Sequence, residues 1–163
     1  MNHTIMSTPV GPLTIVVTDT GEVRAAGFTA DPRELPVPPG ELAGSVARAD
    51  LGEVGKAVTA YLDGDLTAID PVPVVPFGGG GFVTAAWRAL REIPPGQPVS
   101  YARLAALAGR PAAVRAAASA CARNPVALFV PCHRVRRSDG GLGGYRWGLP
   151  VKRWLLAHEA AHG

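Results

Sequence analysis

Apolar and β-branched side chains come in short runs over the first thirty residues, at 13–18 and 23–28. Thr20-Gly21-Glu22 lies between the runs, so they predict two strands of a hairpin, and residues 4–7 predict a third strand. Residues 31–44 are rich in Pro and Gly and predict a loop. Leu51, Val54, Val58, Tyr61 and Leu62 then recur at a helical period, with Gly64 just beyond them. This half therefore predicts a small antiparallel sheet with one helix packed on it.

Residues 71–81 read P-V-P-V-V-P-F-G-G-G-G. The four glycines lack the Lys-Ser/Thr of a phosphate-binding loop, and no G-x-G-x-x-G spacing follows a strand. Composition makes this stretch a linker. The expected division is a domain over 1–75, a linker over 76–81 and a second domain over 82–163. The second half opens on Phe82, Ala86, Leu90 and Ile93, an amphipathic helix ended by Pro94-Pro95-Gly96. Ser100 is placed as the N-cap of a helix over 101–108, with Gly109 as its stop. Pro111 opens another helix over 112–123, ended by Asn124-Pro125. Two short helices about a Gly-containing turn have the outline of a helix-turn-helix, and an ordinary helical hairpin shares that outline. Arg115 is the only charge within its alanine-rich stretch A-A-V-R-A-A-A-S-A-C, residues 112–121. Residues 126–130 predict a buried extended segment, residues 138–145 a glycine-rich loop, and residues 150–160 a closing helix.

Charge divides the chain in the same way. Residues 1–75 carry 4 Lys/Arg and 10 Asp/Glu, a balance of −6, and residues 76–163 carry 12 and 3, a balance of +9. The basic half suits a polyanion. With no long apolar stretch and no basic-then-apolar leader, neither a membrane span nor a signal peptide is expected, and the expected compartment is the cytoplasm. The two cysteines, Cys121 and Cys132, form no metal-ligand pattern, so no metal is expected.

Cys132-His133 at the end of an apolar run is the strongest chemical signal. A thiol becomes a nucleophile when a base takes its proton, and an imidazole acts as that base when a carboxylate orients it. On the closing helix, Val151, Leu155 and Glu159 share a face at i, i+4 and i+8. Spacing alone leaves either His158 or Glu159 as the inward residue.

The run V-P-C-H-R-V, residues 130–135, resembles the signature of the O6-alkylguanine-DNA alkyltransferases, the methylated-DNA–protein-cysteine methyltransferases. The resemblance extends to I-P-P-G-Q-P-V-S-Y-A-R-L-A from Ile93, the Arg115 helix, R-N-P at 123–125, G-Y-R-W-G at 144–148 and K-R-W-L-L-A-H-E from Lys152. Residues 1–75 match only in outline. The resemblance implies an α/β (α+β) fold: a ribonuclease-H-like N-terminal domain with a small antiparallel sheet, and a mostly helical C-terminal domain with a helix-turn-helix. It implies that Cys132 accepts the alkyl group, that His133 is its base through a water, and that Glu159 is the base's partner. It makes Asn124 a hinge between the recognition helix and the active-site segment. It makes Tyr101 a residue that helps rotate the nucleotide and donates to guanine, and Arg115 a finger that enters the duplex in place of the flipped base. Val135 is implied to contact the base by its backbone and Tyr145 by its ring, with Arg134, Gly143 and Arg146 also on the DNA or substrate side.

The implied activity is repair of double-stranded DNA by a monomer. An alkyl group passes from O6-alkylguanine to Cys132 once per molecule, without cofactor, after minor-groove binding and base flipping. O4-alkylthymine is an alternative lesion. The competing readings are a non-catalytic module that binds alkylated DNA and a thiol hydrolase unrelated to DNA. Three departures from the family pattern stand out. No cysteine precedes 121, which removes the N-terminal zinc site of some members. Ala127 replaces a proline near the pocket entrance, and Arg146-Trp147 replaces small residues at the rim.

Overall fold

A computed structural model describes residues 1–78 and 80–163; Gly79, in the expected linker, lies outside the described residues. The fold mixes α and β structure and divides into two compact units. Residues 1–75 form the first together with 125–129, and residues 76–124 with 130–163 form the second.

In the first unit, β1 (Asn2–Thr8), β2 (Gly11–Val17) and β3 (Val23–Gly27) form an antiparallel meander. Pro9 and Val10 make the tight turn from β1 to β2, and Gly11 leaves it at φ +108°. A fourth strand, β4 (Val46–Ala47), pairs parallel with β1, so the sheet order is β3-β2-β1-β4. Strand β2 is buried on both faces, with Leu13, Ile15 and Val17 on one and Thr14 and Val16 on the other. A buried Thr needs a hydrogen-bond partner, and Thr14 donates its hydroxyl to Thr29 O at 2.6 Å. Helix α1 (Glu53–Leu62) buries Val54, Val58 and Tyr61, three of the five residues that define its period.

Residues 126–130 correct one expectation. Val126 makes a single parallel bridge to Ala26, and the chain then turns instead of extending. Leu128 sits at φ +72°, a conformation that bulky residues rarely adopt. Val126 through Val130 are all buried, so the burial of five apolar side chains overrides their local preference.

The second unit packs α2 (Phe82–Leu90), α3 (Tyr101–Leu107) and α4 (Val114–Ala122) against one another. Ser100 caps α3, its hydroxyl accepting from Arg103 N at 3.0 Å. Trp87 Nε1 donates to Ala120 O, which ties α2 to α4. The alanines of α4 let this approach be close: Ala117 and Ala120 are buried, while Arg115 on the other side is exposed. A two-residue strand β5 (Val99–Ser100) pairs parallel with β6 (Val135–Arg136), and α5 (Leu149–His162) closes the unit. Among the described residues no helix is long and apolar enough to cross a membrane.

Candidate active site

Asn124 follows the end of α4, and its side-chain amide donates to Val130 O at 2.7 Å. This bond joins α4 to the segment that leads into a 3₁₀ turn, Cys132–Arg134. All three residues of the turn are buried. On α5, Lys152, Leu155 and Glu159 are spaced i, i+3, i+7 and so share the inward face. The turn and this face build the site.

Glu159, 0% exposed, accepts from His133 Nε2 at 2.8 Å on Oε2. His158 is also buried, but its ring stacks on Trp154, with centroids 4.6 Å apart. The inward carboxylate is therefore the partner of His133. Burial alone would raise the Glu159 pKa, but the hydrogen bonds and charges of His133 and Arg134 hold it well below the usual carboxylate range. His133 is pushed the other way: burial lowers its pKa against the opposing hydrogen bond and charge of Glu159. An ionised Glu159 and a neutral His133 place the imidazole proton on Nε2. Nδ1 is then a lone-pair acceptor, buried and without a hydrogen-bond partner among the described residues.

Cys132 is 6% exposed. Burial pushes its thiol pKa up, opposed by a hydrogen bond from the Asn124 side chain and by the positive charge of Lys152. The resting sulfur is thus a thiol that needs a base at the moment of reaction. It lines a cavity of about 510 Å³ with Tyr101, Cys121, Gly143, Tyr145 and Arg146 among the other lining residues. Tyr101 lies against the glycine loop. A Cβ on Gly143 would sit 2.6 Å from its Oη, so only glycine leaves the ring its place. Burial, with smaller contributions from Cys121 and Cys132, pushes the Tyr101 phenol up to about 12, which keeps it a hydrogen-bond donor. A cavity of about 550 Å³ in the first unit, lined by Thr4, Met6, Leu51 and Lys56 among others, contains no such nucleophile and base.

Several residues sit elsewhere than the sequence reading placed them. Arg134 was expected on the DNA side; it is 3% exposed and donates to Glu159 and to Ile93 O, leaving no face toward a ligand. Val135 is fully buried, does not line the cavity, and its carbonyl accepts from Lys152 Nζ at 2.8 Å. Ala127 is buried within the first unit, its amide donating to Ala26 O. Arg146, by contrast, is exposed and lines the cavity as the sequence suggested, with its guanidinium 5.6 Å from the Trp147 ring centre.

The sequence reading also missed Lys152, Cys121 and Arg137. Lys152 is 0% exposed, and its ammonium donates to the carbonyls of Val135, Leu142 and Gly144. It thereby ties the glycine loop to α5. The i, i+7 spacing from Lys152 to Glu159 was available as a signal, but a lysine is ordinarily read as surface.

The model of the 6-O-methylguanine DNA methyltransferase DNA-binding domain matches residues 81–161. The human methylated-DNA–protein-cysteine methyltransferase is 36% identical over 170 residues, covering 98% of this chain and 80% of that protein. The chain belongs to the methylated-DNA–protein-cysteine methyltransferase family. A family member from Methanosarcina barkeri is 33% identical over 97% of its length. The bifunctional transcriptional activator/DNA repair enzyme Ada of Escherichia coli is 56% identical over 82 residues, but this chain spans only 23% of Ada. The same family fold appears in the crystal structure of Mycobacterium tuberculosis OGT in complex with DNA. Its TM-score is 0.85 at 29% identity, over 100% of this chain and 95% of that one.

Proposed function

We propose that this protein repairs double-stranded DNA by moving an alkyl group from the O6 atom of guanine onto Cys132, once per molecule. The observation that carries the reading is the buried row Cys132, His133, Glu159, with an open Nδ1 on the imidazole and a cavity beside the sulfur. The thiol proton passes to His133 Nδ1 through a water, while Glu159 holds the ring and stabilises the imidazolium. Sγ forms a bond to the alkyl carbon as the C–O6 bond breaks. Guanine leaves with the proton, helped by donation from Tyr101. The product thioether is not readily cleaved, so the cycle stops after one transfer. No cofactor enters this balance.

The alkyl carbon lies inside the base stack, so the nucleotide must swing out at a cost of a few kcal/mol. Arg115, exposed on α4, fills the gap; α3 and α4 act as the helix-turn-helix, and α4 docks in the minor groove. Readout there is by shape and phosphate, which suits damage that arises in any sequence. Tyr145 and Arg146 line the base site with Gly143, and Asn124 is the hinge. Residues 82–163 carry this chemistry in a monomer, and residues 1–75 form a ribonuclease-H-like structural domain. O4-alkylthymine is a second lesion that fits the same step.

Excess duplex carrying O6-methylguanine tests the reading: one equivalent of guanine should be restored, and then reaction should stop. Arg115→Ala should slow transfer from duplex on the order of tenfold or more, about 1.4 kcal/mol of barrier, yet leave reaction with the free modified base nearly unchanged. Equal losses on both substrates would reject the finger, and multiple turnovers would reject the single-use mechanism.

A further inference from the structure

The Glu159 carboxylate joins two neighbours in the 3₁₀ turn, His133 and Arg134. Oε1 accepts from Arg134 Nε at 2.9 Å, and Oε2 accepts both from Arg134 Nη2 at 2.9 Å and from His133 Nε2 at 2.8 Å. The remaining arm, Arg134 Nη1, donates to Ile93 O at 2.7 Å. The guanidinium therefore grips both carboxylate oxygens in the bidentate geometry that only arginine provides. Arg134, His133 and Glu159 are all within 3% of full burial, so water does not screen them.

We propose that Arg134 is a positioning residue that sets the proton affinity of His133 through Glu159. The inference rests on the reading of His133 as the base for Cys132. A buried Glu159–His133 pair on its own carries a net charge of −1 and draws a proton onto the imidazole. With Arg134 in place the cluster is neutral, and protonating His133 would make it positive. The carboxylate thus orients the ring and fixes its proton on Nε2 without making Nδ1 strongly basic. His133 can take the Cys132 proton during attack and release it afterwards. The guanidinium also restrains the carboxylate from both sides, so the ring keeps one orientation.

Among the described residues, the charged groups that act on His133 are Glu159 and Lys152 from α5 and Arg134 from the turn, where Cys132 precedes it. Tyr101 on α3 and Cys121 on α4 neighbour Cys132. Lys152 is fixed on three carbonyls and acts in the same direction as Arg134. It stays constant in the test below.

The test is a nitrogen-15 NMR titration of the histidines, with His133 assigned by loss of its signal in His133→Gln. Arg134→Gln keeps hydrogen-bonding capacity toward Glu159 and removes the charge. Its His133 midpoint should rise by about one pH unit or more, a tenfold gain in proton affinity. Arg134→Lys keeps the charge, and its midpoint should stay near that of the unmodified protein. A folded Arg134→Gln protein that titrates like the unmodified one would overturn the proposal, as would equal rises in the two variants. If Arg134→Gln does not fold, Arg134→Lys decides alone, and a rise of about a unit there counts against the idea. Transfer from O6-methylguanine DNA is measured alongside. Its absence in the unmodified protein would remove the proposed function and leave the titration result standing; transfer without a charge-dependent midpoint would remove only the role of Arg134.

Discussion

Gly143 shows how narrowly the cavity is defined by single residues. Its φ of +71° costs an L side chain about 1 kcal/mol, and a methyl group there would meet Tyr101 at 2.6 Å from Oη and 2.8 Å from Cε2. The ring would have to leave the place from which, in the proposed reaction, it donates to guanine. Gly143→Ala should therefore slow methyl transfer on the order of tenfold while the protein remains folded, as read by single-turnover kinetics and circular dichroism. An unchanged rate would show that Tyr101 is not held by this contact. At this scale the sequence was partly legible. Cys132 beside His133 stood out because few other residue pairs can make a neutral-pH nucleophile. Arg134 and Lys152 did not stand out, because a charged residue is read as exposed unless its partners are known. Those partners are Glu159, 25 residues on, and backbone carbonyls that no side-chain pattern records.

The 3₁₀ turn Cys132–Arg134 and helix α5 form one buried electrostatic unit, with a pH signature for stability. His133 has its pKa lowered by burial from an ordinary 6.5, so below that value the unfolded chain binds a proton that the folded one refuses. Glu159 is held below its ordinary 4.5, so the folded chain again binds fewer protons as acid increases. Both effects make stability rise with pH over this range, and fall first below about 6.5 and then more steeply below about 4.5. Urea midpoints measured from pH 4 to pH 8 should follow this course, and His133→Gln should flatten its upper part. A midpoint independent of pH between 5 and 7 in the unmodified protein would contradict the buried neutral imidazole. Elements with several turns or a long alternation were legible: β2, β3, α1, α2 and α3 lie within a few residues of their predicted places. The strands β4, β5 and β6 have two residues each, too few to show a period, and they exist through pairings across 44 or 36 residues of chain. The turn at Leu128 was misread as extended because its positive φ falls on a residue that gives no hint of it.

Over the whole molecule, chemistry and basic charge fall on the same side of the division. The second unit contains the cavity, the nucleophile with its base, and the whole +9 balance carried by residues 76–163. Two of those cations, Arg134 and Lys152, are internal, which leaves the exposed arginines, Arg115 among them, to meet phosphate. The central claim is a covalent bond between substrate carbon and Cys132 Sγ. The most direct measurement is the mass of the intact protein after incubation with duplex DNA containing O6-methylguanine, followed by peptide mapping. The account predicts a gain of one methyl group per chain, located on Cys132 and absent from Cys132→Ala. An unchanged mass, or a methyl group retained in Cys132→Ala, would contradict it.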